Sequence, residues 1–216
     1  MVVTVDGPAG VGKSTVARAV AAALGIPYLD TGAFYRAATL AVVRAGVPVA
    51  DPAAVAAAVA AADLDFCHRA MLLDGEDVTE AIRAPEVAAL ASAVSTLPEV
   101  RHSVVARQRA WVERRGGRAV VEGRDIGTVV FPDASVKIYL TADVAERARR
   151  RARDPEAAGL TLAEIERQLR ARDHTDSTRA ASPLRPAEDA VIIDTTALSL
   201  DEVVAIVLGL VAEAAE

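Results

Sequence analysis

The chain of 216 residues is 52% hydrophobic and 25% charged, a profile that fits a soluble globular protein and excludes a disordered tail. Twenty-four basic against 30 acidic residues leave a net charge of −6, which argues against broad, sequence-independent nucleic-acid binding. No uncharged run approaches the roughly 20 apolar residues of a membrane span, and the start MVVTVDGPAG lacks the basic region of a signal peptide, so neither membrane insertion nor secretion is expected.

At roughly 150 residues per domain, the length predicts one domain with room for a small subdomain. Met1 to Val5 is a valine-rich run ending at Asp6-Gly7, the pattern of a buried strand. After a loop, Thr15 to Leu24 predicts an alanine-rich helix that stops before Gly25 and Pro27. Tyr28-Leu29-Asp30 predicts a short strand, Ala33 to Ala45 a helix ending at Gly46, and Pro52 to Ala62 a packed alanine helix. Leu64 to Thr79 breaks this pattern: LDFCHR and AMLLDGEDVT alternate as strands do, with an Asp74-Gly75 turn, and predict a small β insertion. Cys67, the only cysteine, cannot close an internal disulfide, and with His68 it has no zinc-like spacing; a reducing, cytoplasmic compartment is expected.

Two helices follow, Pro85 to Val94 and Pro98 to Arg114, each with proline near its start. Arg114-Arg115-Gly116-Gly117-Arg118 reads as a loop rather than an RNA-binding segment. Ala119 to Gly123, Val136 to Leu140 and Ala190 to Ile193 read as buried strands. Asp143 with Glu146, Thr161 with Glu164 and Ser199 with Glu202 carry capping-box spacing. Strand alternating with helix predicts an α/β fold, a parallel sheet covered by helices on both faces.

Gly7-Pro8-Ala9-Gly10-Val11-Gly12-Lys13-Ser14 fits G-x-x-x-x-G-K-[ST] between a strand and a helix. Glycines let the backbone wrap a phosphate so that successive N–H groups point at its oxygens, and the following helix adds its positive end. Lys13 suits the β- and γ-phosphates, and the Ser14 hydroxyl suits Mg²⁺. Lys13 is also one of only two lysines, the other being Lys137.

The chain has no asparagine, so it lacks the Asn-Lys-x-Asp element with which GTPases read guanine. Motor and transporter ATPases are far longer; a small kinase is the natural reading. Asp30 to Arg36 follows a strand and enters a helix at the carboxyl edge of the sheet, where open α/β sheets bind ligands. There Arg36 is either a solvated helix residue or a phosphate ligand. Arg147, Arg149, Arg150, Arg151 and Arg153 form a cationic block before Asp154-Pro155 and Gly159, read either as a salt-bridged helix or as a phosphate-gripping lid. Leu162, Ile165 and Leu169 make an apolar stripe that extends to Arg172, Asp176 and Arg179. Such ionic groups need partners, supplied by an internal network or by a polar substrate. Arg101 borders a similar stripe of Val100, Val104 and Trp111.

Over nearly its whole length the chain resembles the bacterial cytidylate kinases. The motifs are DGPAGVGKST (Asp6 to Thr15), LDTGAFYR (Leu29 to Arg36), EVAALASAVSTLPEVR ending at Arg101, EGRDIGTVVFPDA (Glu122 to Ala134) and RDHTDSTRAASPL from Arg172. The resemblance implies a P-loop kinase fold. Its five-stranded parallel sheet would lie in a core of residues 1–35 and 118–216, with a monophosphate-binding region at 36–117, a β insertion at about 64–80 and a lid at about 150–162. It implies transfer of the ATP γ-phosphate to CMP or dCMP by a monomer, with Mg²⁺ as cofactor.

By the same resemblance, residues Gly7 to Thr15 hold ATP, and Ser92, Arg101 and Asp125 read the cytosine edge. Arg36, Arg124 and Arg179 hold the monophosphate and act with Lys13 in catalysis, while Arg172 and Asp176 contact the sugar. Thr31 and Tyr35 belong to the same acceptor site; Thr31 stands where some members carry serine. Arg147 and Arg151 are the lid candidates. Two other readings keep the phosphate loop: a kinase of another small acceptor, such as UMP, AMP or shikimate, and a regulatory protein that closes on ATP without transferring phosphate.

Overall fold

The computed structural model describes residues 1–67, 70–154, 157–179 and 181–214. Elements run β1 (Val2–Asp6), α1 (Lys13–Leu24), β2 (Tyr28–Asp30), α2 (Thr31–Arg44), α3 (Pro52–Ala61), β3 (Leu64–Cys67), β4 (Ala70–Leu73) and β5 (Glu76–Asp77). There follow α4 (Pro85–Thr96), α5 (Pro98–Glu113), β6 (Ala119–Gly123), β7 (Val136–Thr141), α6 (Val144–Arg151), α7 (Leu162–Thr178), β8 (Val191–Asp194) and α8 (Leu200–Glu213). Two compact units result, Met1–Leu29 with Gly117–Glu216, and Asp30–Gly116.

In the first unit the sheet order is β2-β6-β1-β7-β8, and β1 pairs in parallel with both β6 and β7. Strand order reverses at β1, so the loop leaving its carboxyl end lies at the switch point where such sheets bind ligands. Period-two alternation divides each strand between two faces. Val3, Val5, Ile138 and Leu140 join Val16, Ala17 and Val20 of α1 and Val203, Val207 and Val211 of α8 in one apolar core. The alternate positions Thr4, Asp6 and Lys137 are buried on the opposite face.

In the second unit α2 packs with α3, α4 and α5, and the predicted insertion is a three-stranded antiparallel sheet, β3-β4-β5. Asp74 and Gly75 join β4 to β5 with φ of 52° and 81°, the left-handed pair that tight hairpins favour. Phe66 of β3 meets Trp111 of α5 edge-on with ring centroids 6.2 Å apart, and the indole N–H donates to the Phe66 carbonyl. Residues 68 and 69 of the insertion, including the His68 considered beside Cys67, lie outside the described residues, as do 155 and 156 in the lid segment.

Helix ends follow their caps. Asp30 accepts from the Ala33 N–H at 3.1 Å, which starts α2 at Thr31, two residues before the sequence pattern suggested. Thr161 with Glu164 and Ser199 with Glu202 form complete capping boxes. Asp143 with Glu146 does not: Glu146 is drawn to Arg149 and Arg150 one turn on, and the Asp143 side chain makes no cap. The stripe of α7 is also narrower than its spacing suggested. Ile165, Leu169 and Asp176 are buried, whereas Leu162 is 49% exposed and Arg172 faces solvent. Among the described residues no helix is long and apolar enough to cross a membrane.

Candidate active site

In the first unit the phosphate loop bends through positive φ at Gly7, Gly10 and Gly12. At Gly7 a Cβ would lie 2.3 Å from the Leu140 carbonyl oxygen, so no larger residue fits there without moving β7. Four loop carbonyls accept from cationic side chains: Gly7 from Arg124 at 3.2 Å, Pro8 from Lys13 at 2.7 Å, Ala9 from Arg147 at 3.1 Å and Val11 from Arg150 at 3.3 Å. Ser14 is half-buried in the first turn of α1, and Thr15 beside it is exposed.

Lys13 is buried, and burial first, then the Arg124 charge, lowers its pKa to about 7, with Glu122 and Asp6 pulling the other way. Asp6 ends β1 and accepts from the N–H groups of Ile126 and Gly127 at 2.9 and 2.8 Å. Burial outweighs those bonds and raises its carboxyl to about 6. The bonds fix a π-helical turn, Ile126–Val130, directly after Arg124 and Asp125. Gly127 sits tightly in it: a Cβ would lie 3.0 Å from the Thr4 hydroxyl and 3.3 Å from the Lys137 side chain, which would have to give way.

Arg124 also donates to Asp176 at 2.9 Å, and Arg179 lies 3.6 Å from Asp125, with both side chains of that pair at most 8% exposed. The first unit thus gathers Lys13, Arg124, Asp125, Asp176 and Arg179 around the loop; Arg172 is exposed, and its charge still acts on Lys13. Of the cationic block, Arg147 pairs with Asp173 at 2.7 Å, and Arg151 with Asp154 at 3.0 Å.

In the second unit Thr31 is buried at the start of α2, with Tyr35 and Arg36 half-buried one turn later. Arg101 of α5 is 5% exposed, stacks over the Tyr35 ring at 5.4 Å and donates to the Ser95 carbonyl at 3.3 Å. Ser92 of α4 is exposed.

The donor chemistry suits Mg²⁺. Such an ion takes one or two protein oxygens and completes its shell with phosphate and water. The Ser14 hydroxyl is such an oxygen, while both Asp6 oxygens are already engaged by N–H groups.

Residues 3–213 match the family model described as cytidylate kinase. The chain belongs to the cytidylate kinase family. It is 51% identical over 219 residues to the cytidylate kinase of Rhodococcus opacus (strain B4), covering 99% of this chain and 95% of that one. It is 51% identical over 214 residues to that of Mycobacterium leprae (strain Br4923), covering 98% and 95%. A solved structure of an uncharacterised protein from Eubacterium ventriosum shares the fold, with a TM-score of 0.54 at 12% identity over 99% of this chain and 98% of that one.

In this member of the cytidylate kinase family two further buried polar residues, one in each unit, act on residues that the motifs picked out. Glu122, a buried acid closing an apolar strand, accepts from the Tyr28 hydroxyl at 2.6 Å and favours the charged form of Lys13. An acid inside the run VVEG was its signal, as an acid abutting the first loop glycine was for Asp6. Gln108 of α5, fully buried, donates to the Thr31 carbonyl at 3.4 Å. Thr195 had no distinguishing local pattern, and Arg150 stood out only as one member of the cationic block.

Proposed function

We propose that the protein transfers the γ-phosphate of ATP to CMP or dCMP, giving ADP and CDP or dCDP. The observation that carries this is the phosphate loop with buried Lys13 and half-buried Arg124 on its carbonyls and Asp125 and Arg179 adjoining, in a chain of the cytidylate kinase family. An oxygen of the acceptor monophosphate forms the new bond to the γ-phosphorus. The bond from that phosphorus to the β–γ bridging oxygen breaks, and ADP leaves with the electron pair. The attacking oxygen is already anionic, so no strong general base is needed; positioning and charge stabilisation do the work.

Lys13 exchanges the Pro8 carbonyl for the β- and γ-phosphates. Arg36, Arg124 and Arg179 hold the acceptor phosphate, since a planar guanidinium binds it bidentately and stays charged. Asp125 accepts from the cytosine amino group, with Ser92 and Arg101 donating to its ring nitrogen and carbonyl. Arg172 and Asp176 take the sugar hydroxyls, and Thr31 and Tyr35 line the acceptor region within residues 36–117 and its approach. Ser14 holds Mg²⁺, which when bound neutralises charge on the β- and γ-phosphates. Residues 150–162 act as a lid, with Arg147 and Arg151 at its base, excluding water from the transfer. The protein works as a monomer in the cytoplasm, a compartment that suits its single cysteine.

ADP release from Mg-ATP with CMP, dCMP, UMP, AMP, GMP and shikimate as separate acceptors tests this. Fast release is expected with CMP and dCMP alone. Asp125→Ala should raise the KM for CMP by more than about tenfold and leave that for ATP in place. A different preferred acceptor, or equal effects on both substrates, would overturn the base-reading assignment.

A further inference from the structure

Every peptide bond in the described chain is trans, so each carbonyl and the N–H of the following residue point in opposite directions. The cations on the phosphate-loop carbonyls therefore set where the loop's N–H groups aim. Lys13 on the Pro8 carbonyl orients the Ala9 N–H, Arg147 on the Ala9 carbonyl that of Gly10, and Arg150 on the Val11 carbonyl that of Gly12. Gly12, at φ 94°, is the residue that caps α1.

Arg150 donates from each of its three nitrogens to protein oxygens. Its Nε donates to Glu146 at 3.1 Å, its Nη1 to the Thr195 hydroxyl at 2.9 Å as well as to Val11, and its Nη2 to the Thr195 carbonyl at 2.6 Å. Thr195, only 2% exposed, directly follows β8. Its hydroxyl lies 3.1 Å from the Thr141 carbonyl at the end of β7 and 3.4 Å from that of Val11. A hydroxyl has one proton, so it donates chiefly to Thr141 while its oxygen holds Arg150 in place. The phosphate loop, the end of β7, α6 and the turn after β8 all converge on the Thr195 hydroxyl.

We infer that Arg150 and Thr195 are positioning residues for the donor phosphates: holding the Val11 carbonyl outward, they aim the Gly12 N–H into the phosphate loop. The inference rests on the reading that this loop binds the ATP phosphates. It gives Arg150 a duty distinct from the lid role proposed for Arg151, which pairs with Asp154. Arg147 is likewise bonded on all three nitrogens, to the Ala142 and Ala9 carbonyls and to Asp173, and such an arginine acts through the loop rather than on the transferring group.

The test combines calorimetric affinity for inorganic tripolyphosphate, which has no base or sugar, with steady-state kinetics of Arg150→Met and Thr195→Val. For Arg150→Met the tripolyphosphate affinity should weaken about tenfold, the size of one lost charge-assisted hydrogen bond, and the KM for ATP should rise by a similar factor. The KM for CMP should hold. Thr195→Val keeps shape and volume, so it should show the same split in smaller measure. Unchanged tripolyphosphate affinity in both folded variants would overturn the inference, as would parallel weakening of ATP and CMP with a lowered melting temperature. Wild-type protein that binds neither tripolyphosphate nor ATP would instead overturn the underlying reading of the loop.

Discussion

Lys13 carries its charge where burial and the Arg124 guanidinium both oppose it, and its pKa of about 7 follows. A triphosphate restores the charged form, so ATP binding above pH 7 should take up protons. Calorimetry at about pH 8 in buffers of different ionisation heat should show uptake of most of a proton per ATP bound. Lys13→Met should abolish that uptake and lower turnover by orders of magnitude with the fold intact. Binding by the wild type without uptake would refute it. Stability follows the same signs. From about 7 up to the ordinary 10.5 the unfolded chain binds more protons at Lys13, so stability rises with pH there. Asp6, at about 6 against 3.8, binds its proton more tightly when folded, so across that interval stability falls as pH rises. Lys13 was legible from the motif. The acids that offset its burial were not assigned, because strand pairing sets Glu122 of β6 opposite Val5, next to Asp6 in β1, from far along the chain.

At the scale of elements, the β insertion is held to the helices by Trp111, whose ring packs on Phe66, whose N–H reaches the Phe66 carbonyl, and over which the Arg115 guanidinium stacks at 3.8 Å. Trp111→Ala should cost about 3–5 kcal/mol, read as a lowered urea midpoint, and Trp111→Phe much less. A loss below about 1 kcal/mol for alanine would show that the insertion is held by something else. Strands and helices such as β2, β6 and α3 were legible because apolar runs bounded by Gly, Pro and Asp are local signals. The π-helical turn after Asp125 was not, since it depends on Asp6 accepting two N–H groups and on the space beside Thr4 and Lys137. Capping spacing failed at Asp143 for a related reason: a competing pair of arginines claimed Glu146. The arginine block was legible as either a salt-bridged helix or a phosphate-gripping lid, and the sequence did not separate the two. Its members turn to loop carbonyls and acids that only the folded chain supplies.

At the scale of the whole molecule, the order of strands around β1 was beyond local patterns, yet it places the phosphate loop at the switch point. The fold class followed from alternation of strand and helix, and the family from motifs spread over nearly the whole chain. The most direct measurement is the chemical identity of the product. With Mg-ATP and CMP, phosphorus NMR should show CDP and ADP accumulating in equal amounts, with no matching rise in inorganic phosphate. Inorganic phosphate formed in place of CDP, or no reaction with CMP at all, would contradict the account.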